Sequence, residues 1–124
     1  MLSHIMIGTN NLDNAKKFYD AVLGELGAKC LYQDDSTLGY GTESPVFWVY
    51  QRKEVKNGET RPGLHVCFNA KSTTAVDKFH ASGLKSGGKD NGPPGVRKDY
   101  SPSYYAAFLV DPDGYRIEAY CEKH

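Results

Sequence analysis

Apolar and polar positions along this chain change their period twice, in the same order each time. Ser3 to Ile7 and Leu64 to Phe68 are short apolar runs rich in β-branched residues, and each predicts a strand. Helical spacing follows both. In the first case Leu12, Ala15, Phe18, Val22, Leu23 and Leu26 recur at that spacing, with Asn11 or Asp13 as N-cap and Gly24 or Gly27 as stop. In the second, Ala75, Val76, Phe79 and Leu84 form the stripe behind hydroxyl caps at Ser72 to Thr74, and Gly87 with Gly88 ends it.

The first helix leads to three strand segments, Ala28 to Gln33, Thr37 to Gly41 and Val46 to Gln51. After the second helix, Lys89 to Lys98 carries Gly92, Pro93, Pro94 and Gly95, which predicts an ordered loop or a short edge strand. Tyr104 to Val110 and Tyr115 to Cys121 then predict a hairpin. Its turn, Asp111-Pro112-Asp113-Gly114, places proline where φ near −65° is wanted and glycine at the exit of a type I turn.

Sliding the chain along itself by 61 residues lays HIMIGTNNLDNAKKFYDAVLGELG over HVCFNAKSTTAVDKFHASGLKSGG. His4 falls on His65, Lys17 on Lys78, Phe18 on Phe79, Leu23 on Leu84 and Gly27 on Gly88. The expected organisation is therefore one α+β domain over residues 1–124, built from two βαβββ modules at 1–51 and 63–121. The polar, Gly58- and Pro62-containing segment 52–62 links them.

A chain of 124 residues with 40% hydrophobic content has room for one core and no second domain. Fifteen basic and fifteen acidic residues cancel, with no long run of either sign, so neither nucleic acid nor an anionic membrane is expected as a partner. No apolar window approaches the roughly 20 residues of a membrane span, and no basic leader precedes one. The expected location is the cytoplasm. Cys30, Cys67 and Cys121 are odd in number and lack CxxC spacing, which argues against a disulfide framework and a cysteine zinc site.

Strand alternation sorts the remaining chemistry. Ile5 and Ile7 oppose His4 and Met6; Leu64, Val66 and Phe68 oppose His65 and Cys67; Ile117, Ala119 and Cys121 oppose Arg116, Glu118 and Tyr120. With the aliphatic faces under the helices, His4, His65 and Glu118 share the opposite, concave face. Two imidazoles and a carboxylate suit one divalent ion, with positions left open for water or substrate. Zinc, nickel, manganese and iron all accept such a set. His80, on a helix, and the final His124 are expected to be solvated.

His4 in SHIMIGTNNLDNAKKFY, His65 in GLHVCF and the closing DPDGYRIEAY resemble the vicinal oxygen chelate superfamily of glyoxalases, bleomycin-resistance proteins, fosfomycin-resistance transferases and extradiol dioxygenases. The resemblance implies paired modules forming a cupped, mostly antiparallel sheet around a metal, and a homodimer with ligands contributed across the interface. It also implies a metal-dependent enzyme, lyase- or isomerase-like, acting on a small molecule that chelates the ion through adjacent oxygens. Dioxygenase-like and fosfomycin-resistance-like enzymes are alternatives, as is a metal-free binding protein of the bleomycin-resistance kind. The fourth-strand glutamate or glutamine of glyoxalase I is missing, because the repeat places Trp48 nearest that position.

Aromatic residues supply candidate pocket walls. Trp48, Tyr50, Tyr100, Tyr104 and Tyr105 combine apolar rings with polar tips, and Arg97 and Lys98 are candidates for an acidic substrate group.

Overall fold

The computed structural model describes residues 1–56, 59 and 61–123. Part of the predicted linker, residues 57, 58 and 60, and His124 lie outside the described residues. The fold is α+β, in the order β1 (Ile5–Thr9), α1 (Leu12–Gly24), β2 (Lys29–Gln33), β3 (Thr37–Gly41), β4 (Phe47–Gln51), β5 (His65–Asn69), α2 (Thr73–Lys85), β6 (Lys89–Val96), β7 (Tyr104–Val110) and β8 (Arg116–Glu122). These are two βαβββ modules.

Each module has its own four-stranded mixed sheet, β1-β4-β3-β2 in the first (sheet A) and β5-β8-β7-β6 in the second (sheet B). The opening strand pairs parallel with the last strand of its module, and the remaining pairs are antiparallel. A parallel partner needs a crossover, and the helix of each module is that crossover.

Both helices form for reasons visible in their residues. Asn11 caps α1 by accepting the Asn14 N–H, and Ser72 caps α2 by accepting the Ala75 N–H. Their buried residues fall on one face at helical spacing: Ala15, Phe18, Tyr19, Val22 and Leu23 in α1, and Val76, Phe79, His80 and Gly83 in α2. Replacing Ser72 with alanine leaves that amide without its cap and is expected to cost about 1 kcal/mol. Urea unfolding with an unchanged m-value measures it.

The helices pack against each other, and their faces share one core with Ile7, Leu38, Val49, Leu109 and Ile117. Phe47 and Phe68 meet edge to face at 5.2 Å, joining the two sheets. A Cβ on Gly83 would stand 2.3 Å from Leu109 Cδ1, so α2 lies directly on β7 at that point.

Three details depart from the sequence expectation. The first strand begins at Ile5, so His4 precedes it, although the Ile5 N–H already bonds to Val46 O at 2.9 Å. The left-handed glycine after α2 is Gly87 (φ 101°), equivalent to Gly27 (φ 84°), while Gly88 is close-packed, its absent Cβ leaving 2.6 Å to Phe18 Cε1. His80 is buried rather than solvated, because it takes the inward position that Tyr19 takes in α1. Its Nε2 sits 2.8 Å from Asp90 Oδ1.

The Gly- and Pro-rich segment is an edge strand, β6, eight residues long. Its ladder to β7 shifts register on both sides of Gly92, so the pairing jumps over Pro93 and Pro94, which have no N–H to give. The hairpin turn forms as expected: the Gly114 N–H bonds to Asp111 O at 3.0 Å, and Gly114 has φ 95°.

Asp111 is also a buried hub between modules. One carboxylate oxygen accepts the N–H groups of Asp113 and Tyr115, each at 2.9 Å, and the other accepts the hydroxyl of Tyr19 from α1. The Gly8 N–H of β1 donates to the Tyr115 hydroxyl at 3.2 Å, and Arg61 of the linker donates to Asp113 O at 3.1 Å. No helix among the described residues is long and apolar enough to cross a membrane.

Candidate metal and substrate site

The parallel pairing of β5 with β8 sets Cys67 opposite Glu118, two residues along from His65 and on the same face. His65 Nε2 and Glu118 Oε1 are 2.7 Å apart. Glu118 is 4% exposed, while the His65 side chain is 42% exposed, so the pair has a buried carboxylate behind and an accessible imidazole in front. Tyr104 of β7 donates its hydroxyl to the other carboxylate oxygen, Oε2, at 2.6 Å. Tyr104 is itself gripped between rings, with Tyr120 at 4.2 Å and Tyr100 edge-on at 5.0 Å.

Burial, followed by the Glu118 carboxylate, raises the Tyr104 phenol above its usual range, so it stays protonated and acts as a donor. The Cys67 thiol, exposed at its tip but desolvated beside the sheet and close to Glu118, is pushed up to about 12.

These groups open onto a cleft of about 630 Å³ lined by His65, Asp99, Tyr100, Tyr104, Phe108 and Glu118. Tyr100 projects at its mouth, 65% exposed. Asp99, Tyr100 and Phe108 also line a smaller neighbouring cleft of about 360 Å³ that carries Arg97 and Lys98. Arg97 lies 5.1 Å over the Phe108 ring and bonds to the carbonyl of Gly95 at 3.0 Å.

His4 and Trp48 stand elsewhere. They line a separate cleft of about 480 Å³ on sheet A, with Met6, Tyr32, Asp34, Thr37 and Pro45, and no residue lines both this cleft and the His65 cleft. The register explains the difference between the modules: Met6 pairs with Trp48 as Cys67 pairs with Glu118. Trp48 therefore occupies in sheet A the place that Glu118 occupies in sheet B. Its ring lies over Gly39, where a Cβ would come within 2.7 Å, and packs 5.6 Å from Tyr32.

The structure thus brings His65, Glu118, Tyr100 and Tyr104 together and leaves His4 apart within the chain. Among the described residues no group of three or more His, Cys, Asp or Glu side chains stands ready to hold an ion. Tyr105 points the opposite way from Tyr104, as alternation requires. Its hydroxyl bonds to Asp77 of α2 at 2.6 Å, which raises its pKa to about 12. Tyr50 lies on sheet A under the Arg52 guanidinium, 5.3 Å from its ring centroid. Sequence reasoning set Tyr120 on the Glu118 face without giving it a role, and it missed Phe108, which alternation places on the same face. It also missed Asp99, in a loop where no periodicity operates.

Glu118 Oε1 is paired with His65 Nε2 while its other oxygen is engaged by the Tyr104 phenol, so the pair supplies one oxygen and one nitrogen. That donor pair fits a divalent first-row ion.

Two βαβββ modules with a His–Glu pair in a cleft on the second define a class of paired-module protein. The chain belongs to the Glyoxalase/Bleomycin resistance protein/Dioxygenase superfamily, whose family model matches residues 1–119. A glyoxalase/bleomycin resistance protein from Albidiferax ferrireducens T118 is 36% identical, with 97% of this chain and 98% of that chain covered and a TM-score of 0.85. A putative glyoxalase from Bacillus halodurans is 25% identical over 97% and 94% of the two chains, with a TM-score of 0.71. The fosfomycin resistance protein FosX from Listeria monocytogenes shares the fold at 17% identity, covering 97% and 91%, with a TM-score of 0.71. No curated protein matches the chain.

Proposed function

We propose that this protein is a metal-dependent enzyme of the glyoxalase-like group, acting on a small molecule that presents two neighbouring oxygens to the ion. The observation that carries the reading is the 2.7 Å pair of His65 Nε2 and Glu118 Oε1 at the floor of the sheet B cleft. His65 and Glu118 are two ligands, and His4 of a second copy is the third. The sheet A cleft presents that histidine beside exposed Met6 and Tyr32, an apolar surface of the kind a homodimer covers.

A divalent ion bound there supplies a Lewis acid that stabilises negative charge developing on substrate oxygens. The chain's own residues do the rest. Tyr104 holds Glu118 in place, Tyr100 and Phe108 wall the cleft against water, and Lys98 with Arg97 borders the adjoining space where an acidic substituent would lie.

Protein purified without chelator is expected to carry about one ion per chain, and His65→Ala to lose it while remaining folded by circular dichroism. Elemental analysis reads the difference, and equal metal content in parent and variant contradicts the site. The placement of Trp48 where a second carboxylate would stand favours the other reading, a metal-free binding protein with an aromatic-walled cavity. A parent protein that folds and binds ligands with no stoichiometric ion supports that reading instead.

A further inference from the structure

We infer that Tyr104 is a positioning residue that confines Glu118 to a single ligating oxygen and so keeps one position of the ion open. The inference rests on the reading of His65 and Glu118 as metal ligands. A carboxylate can give an ion one oxygen or two, and which it does depends on what competes for the second oxygen. In this site Tyr104 is the competitor. Glu118 Oε2 accepts the Tyr104 hydroxyl at 2.6 Å, and Oε1 alone faces His65 Nε2.

Three features make that hydrogen bond persistent. Tyr104 and Glu118 stand on adjacent strands of one antiparallel ladder, β7 and β8, so their backbones are fixed relative to each other. The Tyr104 ring is held between Tyr120 and Tyr100 and cannot swing away without breaking both contacts. Glu118 is almost wholly buried, so water is a poor replacement for the phenol. Sheet A has no such arrangement, because Trp48 stands at the equivalent register position.

Removing only the hydroxyl frees Oε2 to approach the ion. In Tyr104→Phe, Co(II) is expected to bind at least as tightly as in the parent, because the freed oxygen adds a donor to the ion. The visible absorption of the Co(II) protein is expected to change as well, because a second carboxylate oxygen alters the coordination. Tyr105→Phe, which removes a hydroxyl one residue along the same strand but on the helix side, is expected to leave affinity and spectrum as in the parent. Thermal unfolding shows whether each variant remains folded, and Tyr120→Ala, which removes the ring packed against Tyr104 and so loosens its hydroxyl from Glu118, is a second test with the same expected spectral change if the phenylalanine variant does not fold.

A folded Tyr104→Phe protein with parental Co(II) affinity and spectrum overturns the role of Tyr104 alone. Weaker binding with an unaltered spectrum also overturns it, since coordination by Glu118 is then unchanged. A parent protein that takes up no Co(II) overturns the metal reading and the positioning role together.

Discussion

Dimers assembled from one His4→Ala chain and one His65→Ala chain are expected to bind about one divalent ion, whereas dimers of either variant alone bind almost none. The expectation follows from the separation of the two clefts. In the twofold dimer proposed above, each composite site would take His4 from one copy and His65 with Glu118 from the other. The His4→Ala chain keeps His65 and Glu118, and the His65→Ala chain keeps His4, so one of the two sites in the mixed dimer is complete. Losing one of three ligands should weaken the ion by more than the roughly 10–100-fold that an outer partner costs. Dimers carrying two different affinity tags, purified in tandem and assayed for bound metal, measure it. A mixed dimer as empty as its parents places the three residues in one chain or denies them a common ion, and a monomeric parent protein excludes the shared site.

The second large effect concerns pH and stability rather than metal. Burial raises the Asp111 carboxyl to about 6, although the Tyr19 hydroxyl and the Tyr115 and Asp113 amides partly oppose the shift. The unfolded chain titrates this group near 3.8. Between those values the unfolded form releases the proton first, so stability falls as pH rises from about 4 to about 6 and is level above. A shift of this size corresponds to about 3 kcal/mol. Asp111→Asn keeps an oxygen for the two amides and removes the titration. Denaturant unfolding at pH 4 and pH 6.5 is expected to show a difference in the parent that shrinks by most of that amount in the variant. An equal pH dependence in both proteins assigns it to other groups. Asp113, whose carboxyl is also raised by burial, is the nearest of these.

Most of the fold is legible because its signals are local. The stripe from Ala15 to Leu23 and the caps at Asn11 and Ser72 depend on side chains within one or two turns, and the structure contains both. His80 shows where local reasoning stops. Its polarity suggests solvent, yet its place on the helix is that of buried Tyr19, and a carboxylate on β6 satisfies it as Asp111 satisfies Tyr19. Strand β6 is the hardest element to foresee, because its prolines argue against a strand and only the ladder to β7, skipping them, overrides that preference.

The contact between His65 and Glu118 is readable from alternation, once the parallel partner of β5 is taken to be β8. The position of His4 relative to that pair is not. A repeat of 61 residues states that two histidines occupy equivalent places, but equivalence within modules does not fix how the modules face each other. That geometry comes from the shared core, where Phe47 meets Phe68 and α1 meets α2, and it sets the two clefts apart.

The prolines of β6 also bear on how these molecules can stick together. An outermost strand normally offers a row of free amides and carbonyls onto which another chain can zip. Here Pro93 and Pro94 supply no amide, and the kinked pairing on either side of Gly92 breaks the straight line such zipping needs. Fibril-like stacking along this border is thereby discouraged, which protects a small protein whose sheets, unlike a closed barrel, leave their margins open.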